Sequence, residues 1–166
     1  MPRVTTAPSQ TLTDLFAAVT AHLRGDEADV VALLRGSQER RELAALPYAA
    51  AMAAGEYLRD VADERDLVPG RLLGVLCAAH ASLTGPAGPT AEGAILTGVA
   101  AYLRGQTQLW DDRDQETLAS DPHGSAVAAV RVVAAALAWH ARDLGTEPLD
   151  AAQATCLAMA RRTCQD

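Results

Sequence analysis

The run Leu23-Arg24-Gly25 returns as Leu103-Arg104-Gly105, and the residues before it correspond as well, Leu15 to His22 answering Ile95 to Tyr102. A second echo keeps its order: Arg65-Asp66-Leu67, then Pro69 and Cys77, is followed by Arg142-Asp143-Leu144, then Pro148 and Cys156. Self-similarity at one long period limits the architectures open to a chain before any local rule is applied. The expected build is a flexible tail at 1–9 and a single all-helical domain at 10–166, made of pseudo-repeats at 10–83 and 90–163. The linker at 84–90, Thr84-Gly85-Pro86-Ala87-Gly88-Pro89-Thr90, concentrates helix breakers where the two units would join.

Helix signals fill both units. Gly25 is the expected stop of a helix from Gln10 to Arg24, and Asp26 the cap of a short helix from Glu27 to Arg35 that Gly36 closes. A charged segment from Gln38 to Leu46 leads to Pro47, expected to break or kink the chain ahead of a long helix from Tyr48 to Asp66. Pro69 suits the first turn of a helix to Leu83. The second unit reads as a helix from Ala91 to Arg104, a polar segment from Gln106 to Ala119, an Asp121-capped helix from Pro122 to Asp143, and a last helix from Pro148 to Thr163. No stretch has the alternation or β-branched enrichment of a strand. The fold class is therefore all-α, a helical bundle of about seven to eight helices.

At 166 residues the chain is one ordinary domain, able to bury a core without disulfides or metals. Alanine makes up roughly a fifth of it, so helix axes can approach toward the short end of their usual range. All 14 basic residues are Arg and Lys is absent, a usage expected of a GC-rich, bacterial genome. The net charge of −7 argues against nucleic-acid binding, which relies on clustered cations. Three Cys without a Cys-x-x-Cys pair fit reduced thiols and a cytoplasmic setting. Cys156 and Cys164 lie on one expected helix, about 12 Å apart along its axis, too far to bridge. The first residues lack the layout of a signal peptide. The most apolar run, Ala126 to Ala141, is shorter than a bilayer span and carries Arg131, so no membrane association is expected.

Few residues stand out as chemistry. Arg131 is the single charge within that apolar helix, and a buried guanidinium needs a carboxylate, such as Glu56 on the counterpart helix, or a bound anion. Trp139, eight residues on, shares its face, and His140 is displaced by about 100°. The run Trp110-Asp111-Asp112-Arg113-Asp114-Gln115-Glu116 has paired aspartates of the kind that hold magnesium and diphosphate in helical prenyl-converting enzymes, but the chain is too short for their deep bundle. Glu56, Asp60, Asp63 and Glu64 form a stripe interleaved with Arg59 and Arg65, which reads as a solvated face. Glu39 and Glu42 with Asp60 and Asp63 have the acid-pair layout of all-α nucleoside-triphosphate pyrophosphohydrolases without the flanking Gly-Asp and Leu-Gly context, and no family is assigned. Cys77 and His80 have ligand spacing but sit in an apolar helix, where the thiol reads as a small hydrophobe.

No metal site and no cofactor are expected, and no catalytic residue can be named, since neither a nucleophile motif nor a glycine-rich phosphate loop after a strand is present. The first functional expectation is a non-catalytic helical interaction or accessory protein that self-associates as a homodimer or binds a protein partner. The alternative is a small-molecule-binding protein or enzyme whose pocket lies at the junction of the two pseudo-repeats, with Arg131, Trp139, His140 and Trp110 as ligand-binding residues.

Overall fold

Two long helices rich in buried alanine occupy the centre of the computed structural model, which describes residues 8–84 and 90–163, with side chains at 10–78 and 90–158. Helix α3 (Leu46–Glu64) buries Ala49, Ala50, Ala51, Ala53, Ala54 and Gly55, and helix α7 (Pro122–Leu144) buries Ala126, Ala128, Ala129, Ala134 and Ala136. Alanine loses no side-chain freedom on folding and lets helices approach closely. These two helices pack on each other, and the remaining elements surround them.

Those elements are α1 (Pro8–Leu23), α2 (Glu27–Glu39), a 3-10 turn (Leu43–Ala45), α4 (Pro69–Thr84), α5 (Ala91–Leu103), α6 (Asp112–Ser120) and α8 (Pro148–Thr163). Among the described residues the fold is thus all-α, eight helices in one bundle. Helix α1 packs on α2, α3, α7 and α8, while α5 packs on α6, α7, α3 and α4. Leu15, Leu34, Leu58, Leu76, Ile95 and Leu137 supply the larger fully buried side chains of one continuous core. A fully buried Leu or Ile contributes about 1.5–3 kcal/mol, so these few fill much of the volume that alanine leaves.

Sequence chemistry accounts for the ends. Asp26, Thr90, Asp111 and Asp121 accept hydrogen bonds from the backbone N–H of Asp29, Gly93, Asp114 and Gly124 at 3.0, 3.1, 2.9 and 2.9 Å, starting α2, α5, α6 and α7. Gly25 and Gly105 end α1 and α5 with φ of 76° and 73°, a left-handed turn that glycine adopts without strain. Two boundaries differ from the sequence expectation. Gly36 does not close α2, which runs on to Glu39 and ends where Arg41 turns left-handed at φ 59°. Arg40 at that end is bonded to Asp14 at 2.5 Å and Glu42 at 3.0 Å, so charge rather than glycine anchors the stop. Pro47 neither breaks nor kinks the chain, because it sits in the first turn of α3, where a missing N–H removes no helical bond.

Helix α1 begins at Pro8; the rest of the expected tail, residues 1–7, and most of the linker, 85–89, lie outside the described residues. Helix α7 is longer than the apolar run that suggested it. At 23 residues it is long and apolar enough to cross a membrane by length and composition, while 67% of its most apolar window is buried inside the bundle.

Gly98 on α5 is a close-packing requirement: a Cβ there would come within 2.6 Å of Nε1 and 2.8 Å of Cε2 of Trp110, whose N–H is bonded to the Ala94 carbonyl at 2.7 Å. Gly74 on α4 has nothing within 4 Å of such a Cβ. Helix propensity favours alanine by about 1 kcal/mol at both positions, and overpacking costs about 1–3 kcal/mol at the first. In urea unfolding, Gly98→Ala should lower stability by up to about 2 kcal/mol and Gly74→Ala should raise it by up to about 1 kcal/mol. A stabilised Gly98→Ala would show that the indole is not held where we place it.

Candidate functional site

The last turns of α3 and α7 and the first three turns of α8 enclose a cleft of about 410 Å³. It exists because α8 turns Ala151, Ala154 and Ala158 toward it, side chains too small to fill the space beside Val61. Tyr57 from α3 and His140 from α7 meet in its wall. The phenol of Tyr57 and Nδ1 of His140 are hydrogen-bonded, with the rings edge-on at 5.3 Å. Trp139 stacks beside the imidazole at 6.1 Å with an interplanar angle of 29°.

His140 is only 7% exposed, and its Nε2 is buried with no hydrogen-bond partner among the described residues. The direction of the Tyr57 bond follows from counting unsatisfied groups. If the phenol donates to Nδ1, the neutral ring carries its proton on Nε2 and one N–H is left over. If Nδ1–H donates instead, the phenol hydrogen and the Nε2 lone pair are both left over. Each unsatisfied buried group costs about 1–3 kcal/mol, so the first arrangement is favoured. The pair thus leaves a single N–H, that of His140 Nε2, without a partner among the described residues.

Burial, more than the charges around it, keeps the pair neutral. Burial pushes the Tyr57 phenol well above its ordinary value, with the negative charge of Glu64 adding to this and Arg65 opposing it. Burial pushes the His140 imidazole below its ordinary value; the positive charge of Arg65 adds, and Glu64 and Asp143 oppose. Arg65 is itself paired with Asp143, so the end of α3 is tied to the end of α7 next to the cleft. Asp60, Glu64 and Asp150 are the charged side chains lining the cleft, together with Thr146 and Thr155. Thr155 is already bonded to the Ala151 carbonyl at 2.8 Å.

Of the four residues expected to bind a ligand, the structure brings only Trp139 and His140 together, and only His140 lines this cleft. Arg131 is not buried. Its side chain is 53% exposed and lies 3.8 Å from Glu92 on α5, because the α7 face that carries it turns outward. Glu56 serves different partners: Arg59 bonds it at 2.9 Å and the Tyr102 phenol donates to it. Burial and that carboxylate push the Tyr102 phenol up to about 12. Trp110 is committed to the Ala94 carbonyl and meets Tyr48 edge-on at 6.2 Å. It lines a shallow surface depression of about 620 Å³, in which the described structure leaves no buried side-chain polar atom unsatisfied. Asp111 of the acidic run is the cap of α6.

Among the described residues no group of three or more His, Cys, Asp or Glu side chains is placed to hold a metal ion. Cys77 is half-buried, with its thiol pushed up by burial, and the side chain of His80 lies outside the described residues. Cys156 lines an apolar groove of about 570 Å³ between α1, α2 and α8. Sequence reasoning missed Tyr57 and Asp150, and it read Asp60 and Glu64, which line the cleft, as part of a solvated face. A signal existed for the first, one of three Tyr in the chain and set within an alanine-rich helix.

Because the folded value of His140 lies below its ordinary one, the unfolded chain takes up this proton first. The stability it contributes is complete above about pH 6.5 and declines as the pH falls through that value toward the lower folded one. Thermal denaturation across this range should show a larger loss on acidification for the wild type than for His140→Phe. Equal losses would mean that His140 is not held neutral. No protein-family model, curated protein or solved structure matches the chain, so the site stands on its own geometry.

Proposed function

We propose that the protein binds a small molecule in the cleft between α3, α7 and α8. The observation that carries this is the buried, unpartnered Nε2 of His140 in the wall of a cleft of about 410 Å³. That volume lies in the range of ligand pockets, about 300–1,000 Å³, which are mostly apolar with a few convergent polar groups. The pair is a hydrogen-bonding anchor, not a catalytic one. In the favoured tautomer the one imidazole lone pair already accepts from the Tyr57 phenol, and we assign no reaction to the pair.

The cleft lies between α3 of the first unit and α7 and α8 of the second, and we propose that these units are the copies of a duplication. Support comes from the sequence echoes and from matched turns: Gly25 and Gly105 donate to the carbonyls of His22 and Tyr102 at 3.0 and 2.9 Å. The neighbours of α1 and α5 also exchange, α2, α3, α7 and α8 for α6, α7, α3 and α4. The second echo does not superpose as neatly, since Asp66 is the left-handed residue after α3 and the equivalent turn after α7 is taken by Gly145 rather than Asp143. A cytoplasmic setting belongs to the same proposal and is supported by the free thiols of Cys77 and Cys156.

An accessory role through self-association has no comparable anchor. The exposed large apolar side chains, Val31, Tyr48, Val68, Val75, Leu144 and Leu157, are distributed over α2, α3, α4, α7 and α8 and their edges. Single exposed apolar groups are normal on a soluble surface.

Screening a fragment set by NMR should yield compounds that shift the amides of Tyr57, Ala151 and Thr155. Ala154 is solvent-facing on α8, so Ala154→Trp should fill the cleft without unfolding the bundle. Binding should be lost in that variant at unchanged melting temperature. Fragments that bind the variant as well as the wild type would place the ligand elsewhere.

A further inference from the structure

The cleft has a polarity that its size alone does not give. Glu64 at the end of α3 and Asp150 in the first turn of α8 both line it, both exposed and neither in an ion pair or side-chain hydrogen bond among the described residues. Asp60, half-buried, lines the same cleft. The nearest guanidinium that acts on His140, that of Arg65, is paired with Asp143. Every charged side chain among the described lining residues is therefore a carboxylate. A cluster of carboxylates alone is commonly a solvated surface. Here it surrounds an apolar wall, Val61, Leu144, Ala151 and Ala154, and a histidine more than nine-tenths buried whose Nε2 is unpartnered.

We propose, on the basis of the ligand-binding reading above, that the ligand is an organic cation: an ammonium group carried on an apolar body with one hydrogen-bond acceptor. The carboxylates of Glu64 and Asp150, both in the lining, attract the ammonium. The body covers the alanines of α8. The acceptor, an ether, hydroxyl or carbonyl oxygen, takes the N–H that Nε2 carries when Nδ1 accepts from Tyr57. Nε2 has almost no solvent exposure, so the acceptor reaches it by entering between the wall side chains rather than by resting on the surface. An anionic ligand would face the carboxylates of Glu64 and Asp150, and a metal ion lacks a converging ligand set among the described residues.

Three matched probes separate these elements: phenoxyethylamine, phenoxyethanol and phenoxyacetate share the ring and the ether acceptor and differ in charge. Titrated into the full chain and followed by NMR at His140 and Ala151, the amine should bind about tenfold more tightly than the alcohol, and phenoxyacetate more weakly than either. The double variant Glu64→Gln, Asp150→Asn should bring amine and alcohol within about twofold of each other by lowering the amine's affinity alone, and high salt should do the same in the wild type. If the alcohol or phenoxyacetate binds the wild type as tightly as the amine, the cation assignment is wrong while the cleft remains a ligand site. If none of the three shifts His140 or Ala151, the ligand-binding reading fails with it.

Discussion

Packing between α3 and α7 relies on alanine, with Ala50, Ala51, Ala53 and Ala54 on one helix and Ala126, Ala128, Ala129, Ala134 and Ala136 on the other almost wholly buried. Such faces stabilise through many small burials, at about 0.8 kcal/mol for each methyl-sized group, rather than through a few large ones. They also leave little room for anything else at the centre. Tyr57 and His140 are the aromatic polar side chains admitted between these helices, and they satisfy each other by one hydrogen bond. The cleft follows from the same economy of volume, since α8 continues the use of alanine at 151, 154 and 158 where a leucine would have closed the wall.

Electrostatics then gives the cleft its character. A neutral phenol and a neutral imidazole can be buried because neither has to shed a charge, and the Arg65 and Asp143 pair holds the helix ends together beside them without entering the lining. Glu64 raises the phenol while opposing the depression of the imidazole, so one exposed carboxylate acts on both partners. The same carboxylate lines the cleft. A chain with a net charge of −7 has negative groups to spare, and the charged side chains among the described lining residues of this partly apolar cleft are all carboxylates.

Much of the helical layout was legible in the sequence because its signals are local. The caps at Asp26, Thr90, Asp111 and Asp121 and the glycine turns at Gly25 and Gly105 need only neighbours within a few residues. The misread boundaries were decided through space: Gly36 lies inside α2, and that helix ends where Arg40 reaches Asp14, 26 residues away. The site was harder for the same reason. Arg131 looked buried because its helix is apolar on most sides, yet its own face opens toward Glu92. His140 was singled out for standing beside Trp139, whereas its importance comes from Tyr57, 83 residues away in sequence. Pairings of that range leave no periodicity to read. Glu64 and Asp150 likewise belong to ordinary charged helix ends until the fold brings both into the lining of one cleft.

The bond between Tyr57 and His140 joins the two long helices, fixes the tautomer of the imidazole and leaves Nε2–H without a partner among the described residues, so the state of His140 tests the account most directly. Nitrogen NMR of the histidine side chains near neutral pH reads it. The account predicts a neutral His140 with a pyrrole-like Nε2 and a pyridine-like Nδ1, the latter shifting in Tyr57→Phe. An imidazolium, or a tautomer mixture like that of free histidine that is indifferent to Tyr57→Phe, would contradict it.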